Sequence, residues 1–209
     1  MAEPKQERAL KTREAILRAA AEVFDECGFS GASISKIMDR AGVTQGGMYF
    51  HFKSKQGLAL AVMNSQQDHV EIPAGEEGLQ RIIDITFHVA RELRRNVVFR
   101  AGVRLAVEQG EIGLQDATPY EQWVDQFYEQ LLVARGRGEL LPDVDEKEFA
   151  QVIVGSYSGT QLFSQIATGR QDLPQRVAAL WRYLLPSVAT VEAKARLRAR
   201  AEDFEWDEA

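Results

Sequence analysis

The apolar positions of this chain recur at helical intervals along nearly its whole length. Between residues 11 and 27, Ile16, Ala20, Val23, Phe24 and Cys27 fall at i, i+3 and i+4 spacing, which sets them on one helical face. Gly28-Phe29-Ser30-Gly31 closes that element. A shorter pattern puts Ile34, Ile37, Met38 and Ala41 on one face of a helix over 34–41. Gly42 ends it, because glycine takes positive φ at little cost. Thr44 is placed to cap a third short helix, and Ser54 a fourth over 55–67 with Leu58, Ala61 and Val62 inward. Beyond Ile72-Pro73-Ala74-Gly75 the pattern predicts helices near 77–94, 97–109, 119–135, 146–168, 173–185 and 187–204. The separators are 110–118, 136–145 and 169–172. Pro119 and Pro174 suit first-turn positions, whereas Pro186 should break or kink the helix before it. β alternation, internal repeats and low-complexity blocks are all missing. The chain therefore reads as all-α with nine or ten helices: an N-terminal three-helix head over 1–53, a connecting helix and break over 54–74, and an all-helical body over 75–209.

Composition narrows the class. An apolar fraction of 45% over 209 residues supports a substantial core. No run approaches the roughly 18 apolar residues of a membrane span, and the charged start of the chain does not resemble a signal peptide. The single cysteine, Cys27, cannot form an internal disulfide, which fits a reducing cytoplasm, and its simplest role is as a small core residue of the first helix. The net charge of -6 argues at first sight against a polyanionic partner. Its distribution reverses that impression. Residues 1–55 carry nine Lys/Arg against seven Asp/Glu, and the remainder sixteen against twenty-four. Salt screens charges beyond about 8–10 Å, so the field of the head is what a phosphate would meet. Lys5, Arg8, Lys11 and Arg13 cluster at its start.

Two helices joined by a tight glycine-containing turn form the helix-turn-helix pattern. In the segment 44–55 the residue types suit DNA. The N-terminal residues of a helix in the major groove face base edges, which here are Thr44 and Gln45, and glutamine can pair bidentately with adenine. Gly46 and Gly47 each cost helix stability, about 1 kcal/mol relative to alanine, a cost that close backbone approach to DNA would offset. Tyr49, His51 and Lys55 can meet phosphates, and Ser33 joins them at the preceding helix. Phe50 and Phe52 are expected in the core beneath the head.

These residues carry a resemblance. Residues 8–60 resemble the DNA-binding head of the TetR family of repressors, with Thr12-Arg13, Ile16-Leu17, Ala19-Ala20, Phe24 and Gly28 matching its opening and 41–55 matching its AGVTxGxxYFHFxSK block. Gln45 and Gly47 depart from it, standing where Lys and Ala are usual. The resemblance implies a homodimer whose heads occupy successive major grooves of a palindromic double-stranded operator, with a body that binds a small molecule and releases DNA.

A finer resemblance, to the γ-butyrolactone receptors of actinomycetes, rests on the YFHF block, on Tyr120-Glu121-Gln122-Trp123 and on Gly159-Thr160-Gln161-Leu162. It implies a ligand-contacting Trp123, a hydrogen-bonding Thr160 and a contribution from Gln66, with Phe87, Tyr120 and Phe127 completing the expected set. Trp123 as ordinary core is the rival reading. Gly155 and Gly159, four residues apart, allow another helix to approach closely. The resemblance implies a four-helix dimer interface from 146–168 and 173–185, with Val152, Gly155, Gly159 and Phe163 in the seam and Trp181 as anchor, or else core.

Enzymatic readings find little support. Gly155-Ser156-Tyr157-Ser158-Gly159 has the outline of a nucleophile elbow, but a tyrosine fills the nucleophile slot and no strand precedes it. His51, His69 and His88 lack metal-ligand spacing. Gln45-Gly46-Gly47 lacks the lysine and hydroxyl of a phosphate loop. No cofactor or metal is expected. The sequence points to a ligand-responsive transcriptional repressor whose effector is a γ-butyrolactone or butenolide, with an antibiotic or other metabolite as the alternative, and with an effector-free architectural protein as the competing class.

Overall fold

The structure, a computed structural model, describes residues 3–65, 72 and 74–206. Among these residues it is all-helical, with one isolated antiparallel bridge between Leu140 and Ala189. No helix among them is long and apolar enough to cross a membrane. The chain divides into two compact units, and the division cuts across sequence order. The head unit comprises Met1–Glu71 and Arg95–Asp116; the body unit comprises Ile72–Arg94 and Ala117–Ala209.

The head is built from α1 (Glu3–Gly31), α2 (Ile34–Ala41), α3 (Gln45–His51), α4 (Lys55–Ser65), α6 (Val97–Val107) and the short α7 (Gln109–Ile112). Its core follows the expected periodicity, with Ile16, Ala20, Val23, Phe24, Ile37, Leu58 and Val62 fully buried and Ile34, Met38, Ala41 and Ala61 packed at its margin. Each large apolar side chain so buried contributes about 1.5–3 kcal/mol. Cys27 lies half-buried at the edge rather than inside, with the Lys36 Nζ 3.3 Å from its sulfur.

Gly28 interrupts α1 as expected, at φ 70°. The reason lies partly outside α1. A Cβ there would stand 2.8 Å from Arg104 Nη2 and 2.9 Å from Glu108 Oε2. Glu108 accepts the Phe29 N–H (2.8 Å) and the Arg104 Nε–H (2.7 Å), while Arg100 grips Asp25 through both carboxylate oxygens. Thus α6, which the sequence boundary at 75 assigns to the body, packs on α1 and α4 and seals the head.

The body is built from α5 (Leu79–Arg95), α8 (Thr118–Gly136), α9 (Glu146–Thr168), α10 (Leu173–Val188), α11 (Val191–Arg196) and a 3-10 turn at Ala201–Asp203. Leu79, Ile82, Ile83, Leu131, Ile153, Val177 and Trp181 form its fully buried centre. The buried Glu139 closes one end: its carboxylate accepts the Leu79 N–H at the start of α5 (2.9 Å) and pairs with Arg196 (2.7 Å). A negative charge at a helix N-terminus is favourable there.

Two expectations fail near the C-terminus. Pro186 does not end α10, which continues to Val188. Proline removes one intrahelical donor, and α10 needs only its last half-turn beyond that point. The single helix expected over 187–204 is instead divided. Ala189 turns extended to meet Leu140, Thr190 caps α11 by accepting the Ala193 N–H, and Leu197 is extended again. Within the expected separator 110–118, α7 forms and Gln109 secures the following loop by exchanging two hydrogen bonds with the Asp116 backbone (2.7 and 2.9 Å).

Candidate nucleic-acid interface and effector-binding cluster

α2 and α3 form the helix-turn-helix, and their caps are those the sequence specifies. Ser33 accepts the Lys36 N–H (3.1 Å), so its hydroxyl is engaged at the start of α2. Gly42 is left-handed, at φ 65°, and donates to the Asp39 and Met38 carbonyls. Thr44 accepts the Gly47 N–H (3.3 Å) and begins α3.

One residue fixes how α3 sits. Met48 is fully buried, and Phe52, four positions on, is buried with it. The opposite face, with Gly46 and Phe50 (79% exposed), is therefore bare, and Thr44 and Gln45 at the start of α3 and Tyr49 on its flank (45%) are exposed as well. Nothing lies within 4 Å of where a Gly46 Cβ would project, so the backbone there is open to close approach. Phe50 was expected in the core with Phe52, and it is not. Its ring meets His51 edge-on at 5.0 Å and otherwise faces solvent. The signal was available: with 48 and 52 inward, position 50 falls on the far side of a 3.6-residue helix.

The basic groups divide by role. Lys55 lies over the Phe29 ring (4.5 Å) and donates to the Ser30 carbonyl (3.4 Å), which steadies its ammonium at the surface. Arg13 covers the Phe52 ring at 5.3 Å, and Lys11 pairs with Glu7. The side chain of Lys5 lies outside the described residues. Lys36 and Arg40 converge on Glu26 of α1, at 2.8 and 2.6 Å. Hydrogen bonds from Arg40 and then Lys36 hold the Glu26 carboxyl down to about 2. Sequence reasoning missed this α1–α2 tie, because its partners are ten and fourteen residues apart.

In the body, Trp123 and Phe127 share the inner side of α8 with ring centroids 6.0 Å apart. Phe127 is buried, and Trp123 and Tyr120 are half-buried, with burial raising the Tyr120 hydroxyl above its ordinary value. Thr160 is half-buried on α9. Phe87 is drawn elsewhere: it stacks on Phe204 (4.0 Å, 17°) and meets Trp206 edge-on at 6.0 Å. Gln66 and His69 lie outside the described residues. His88 is half-buried beside Arg91.

Trp181, offered as dimer anchor or core, is core: it is fully buried and its indole N–H donates to Thr86 Oγ1 at 2.8 Å. Tyr157 donates to the Thr86 carbonyl (3.1 Å), and burial pushes its hydroxyl far above the ordinary range. The other seam residues lie at the surface, with Val152 43% and Phe163 59% exposed, and with open space beside Gly155 and Gly159. Among the described residues, no group of three or more His, Cys, Asp or Glu is placed to hold a metal.

Comparison with known proteins agrees with this architecture. Residues 16–62 match the family of bacterial regulatory proteins of the TetR type, and residues 76–190 match the tetracycline repressor-like C-terminal domain. The A-factor receptor protein of Streptomyces griseus is 42% identical over 185 residues, covering 88% of this chain; the chain spans 66% of that relative's length. The structure of TylP, a TetR regulator from Streptomyces fradiae, is 40% identical with a TM-score of 0.81, over 94% of this chain and 95% of that one. A γ-butyrolactone receptor structure, described as ArpA-like, is 31% identical with a TM-score of 0.72, over 90% and 94%. The chain belongs to the TetR family of transcriptional regulators, a family of DNA-binding proteins rather than enzymes.

Proposed function

We propose that this protein is a dimeric repressor that reads a palindromic operator with α3 and is released from it by a γ-butyrolactone or butenolide. The observation that carries the DNA-reading half is the bare face of α3, where Gln45, Gly46, Tyr49 and Phe50 stand out on a helix anchored by the fully buried Met48. Gln45 offers a bidentate pair to adenine, and the exposed Phe50 ring suits the methyl group of thymine. Tyr49, His51 and Lys55 serve phosphates, with Ser33 at the start of α2.

The effector half rests on the likeness to γ-butyrolactone receptors and on chemistry. A lactone has an apolar chain and one strong acceptor. The Trp123–Phe127 pair suits the chain, Tyr120 supplies a further wall, and Thr160 or Gln66 donates to the ring carbonyl. The exposed strip of α9, with Val152, Gly155, Gly159 and Phe163, is the proposed dimer face: open glycines admit a partner helix closely, and exposed apolar side chains gain by being covered. The effector-binding part is the body unit rather than all of 75–209, because residues 95–116 pack with the head.

The switch is two-state. Heads spaced about 34–36 Å apart match successive major grooves, and effector favours a spacing that does not. The chain passes from α5 directly into α6, which grips α1 at the Gly28 kink, so a shift in the body has a covalent route into the head. Reciprocity requires operator DNA to weaken effector binding by the factor by which effector weakens DNA binding. Titrating a synthetic γ-butyrolactone into free and operator-bound protein tests this, and equal affinities overturn the switch. Operator retardation relieved by an antibiotic but not by any lactone or butenolide assigns the effector to the alternative class.

A further inference from the structure

One cavity of the body unit is left over by this reading. It has a volume of about 250 Å3 and opens between α5 and the C-terminal segment that follows α11. Trp123, Phe127 and Thr160 do not line it. Its apolar wall is aromatic, formed by Phe87 of α5 and by Phe204 and Trp206, which the C-terminal segment lays across Phe87. That segment is firmly seated: Gln80 exchanges hydrogen bonds with the backbone of Arg198 (2.9 and 3.1 Å), and the Trp206 indole N–H donates to the Ala201 carbonyl (2.7 Å).

The polar side of the cavity carries three arginines. Arg81 and Arg91 come from α5 and Arg198 from the C-terminal segment, with His88 beside them. Arg91 donates one N–H to His88 Nδ1 (3.1 Å), and its buried Nε has no acceptor. A buried donor of this kind calls for a partner. Three acids also face the cavity, but two are already engaged. Asp84 accepts the Gln80 amide (2.7 Å) and Asp203 the Arg200 N–H (2.9 Å). Burial raises the Asp84 carboxyl above its ordinary value, against the pull of the Gln80 amide, Arg198 and Arg81, so the group in the cavity without a partner is the Arg91 Nε–H.

We infer that this cavity is a second small-molecule site, separate from the lactone cluster, which takes a flat aromatic molecule bearing one carboxylate. The ring lies against Phe87, Phe204 and Trp206, and the carboxylate accepts from Arg91 and Arg198. Size agrees: a cavity of about 150 Å3 holds benzene, so this one has room for a fused pair of rings or a ring with its acid group. Because two of the three aromatic residues belong to the C-terminal segment, occupancy also fastens that segment to α5.

Calorimetry on the full chain with 2-naphthoate and its uncharged counterpart 2-naphthamide tests the inference. Naphthoate is expected to bind, naphthamide at least tenfold more weakly, consistent with a charge-assisted pair. Arg91→Gln should weaken naphthoate about tenfold or more and bring it close to naphthamide, while Phe204→Ala weakens both. Arg198→Gln, at an exposed position, provides a second carboxylate test should Arg91→Gln fail to fold. Trp123→Ala should leave naphthoate affinity unchanged. Absence of naphthoate binding at millimolar concentration, equal affinity for the two probes, or loss of binding in Trp123→Ala overturns it.

Discussion

The helix junctions of the head and the centre of the body are tied by opposite kinds of interaction. In the head, α1 is joined to α2 by Glu26 with Arg40 and Lys36, and to α6 by Asp25 with Arg100, all at or near the surface. In the body, α5, α9 and α10 meet at the buried Thr86, whose hydroxyl receives the buried Trp181 indole and whose carbonyl receives the hydroxyl of the half-buried Tyr157. Surface ion pairs respond to pH and salt and contribute little singly. Buried neutral hydrogen bonds within packed aromatics ignore salt but tolerate no truncation. These junctions of the head are thus adjustable ties, and the Thr86 junction of the body is a fixed one.

The sharpest way to break this contrast is to cut the fixed tie. Trp181→Ala removes a fully buried ring and leaves Thr86 short of a donor, and should cost about 3–5 kcal/mol in chemical denaturation of the body. A loss below about 1 kcal/mol would show that the centre repacks freely. Next comes Gly28→Ala. At φ 70° and ψ 179° Gly28 occupies a region essentially reserved for glycine, where another residue costs about 1–3 kcal/mol, and the new methyl would also press on Arg104 and Glu108. Destabilisation should appear as faster amide exchange in α1 and α6 while the body helices keep their protection.

The same contrast explains what the sequence disclosed. The head was legible because its determinants are local. Ser33, Gly42 and Thr44 act within three or four residues of themselves, and the 48/52 spacing orients α3. Phe50 lies outside because the 48/52 spacing, not its hydrophobicity, decides which side of α3 faces inward. The body was legible only as helices. Phe87 belongs with Phe204 and Trp206, more than a hundred residues away, and neither periodicity nor composition carries such a pairing. Nor could they show that 95–116 folds with the head, since α6 is amphipathic against either neighbour. Trp181 as core or anchor was undecidable until Thr86 appeared beside its indole.

A smaller effect separates the fold of the head from its reading face. Thr44→Ala removes the cap of α3, worth about 1 kcal/mol, without touching Met48. Operator affinity should fall while the thermal midpoint moves by only a few degrees. Thr44→Ser, which keeps the acceptor, should restore most of the affinity. If serine fails where the cap is intact, Thr44 acts through its methyl group on DNA rather than through α3.

The finest test is titration of the Glu26 tie. Its carboxyl is held at about 2 in the folded head by Arg40 and Lys36, against an ordinary value of 4.5. A depressed carboxyl stabilises the folded state above its unfolded value, and that contribution is lost as pH falls from about 4.5 towards 2. Glu26→Gln should therefore unfold at a lower temperature than the parent at pH 6, and the gap should close progressively below pH 4.5. High salt should shrink it at any pH, because the pair is exposed. Tyr157→Phe in the body, where no charge is involved, should show a gap that neither pH in this range nor salt alters. A Glu26 gap unchanged from pH 6 to pH 2 would mean that α1 and α2 are joined by packing alone, and the adjustable character assigned to the head would be lost.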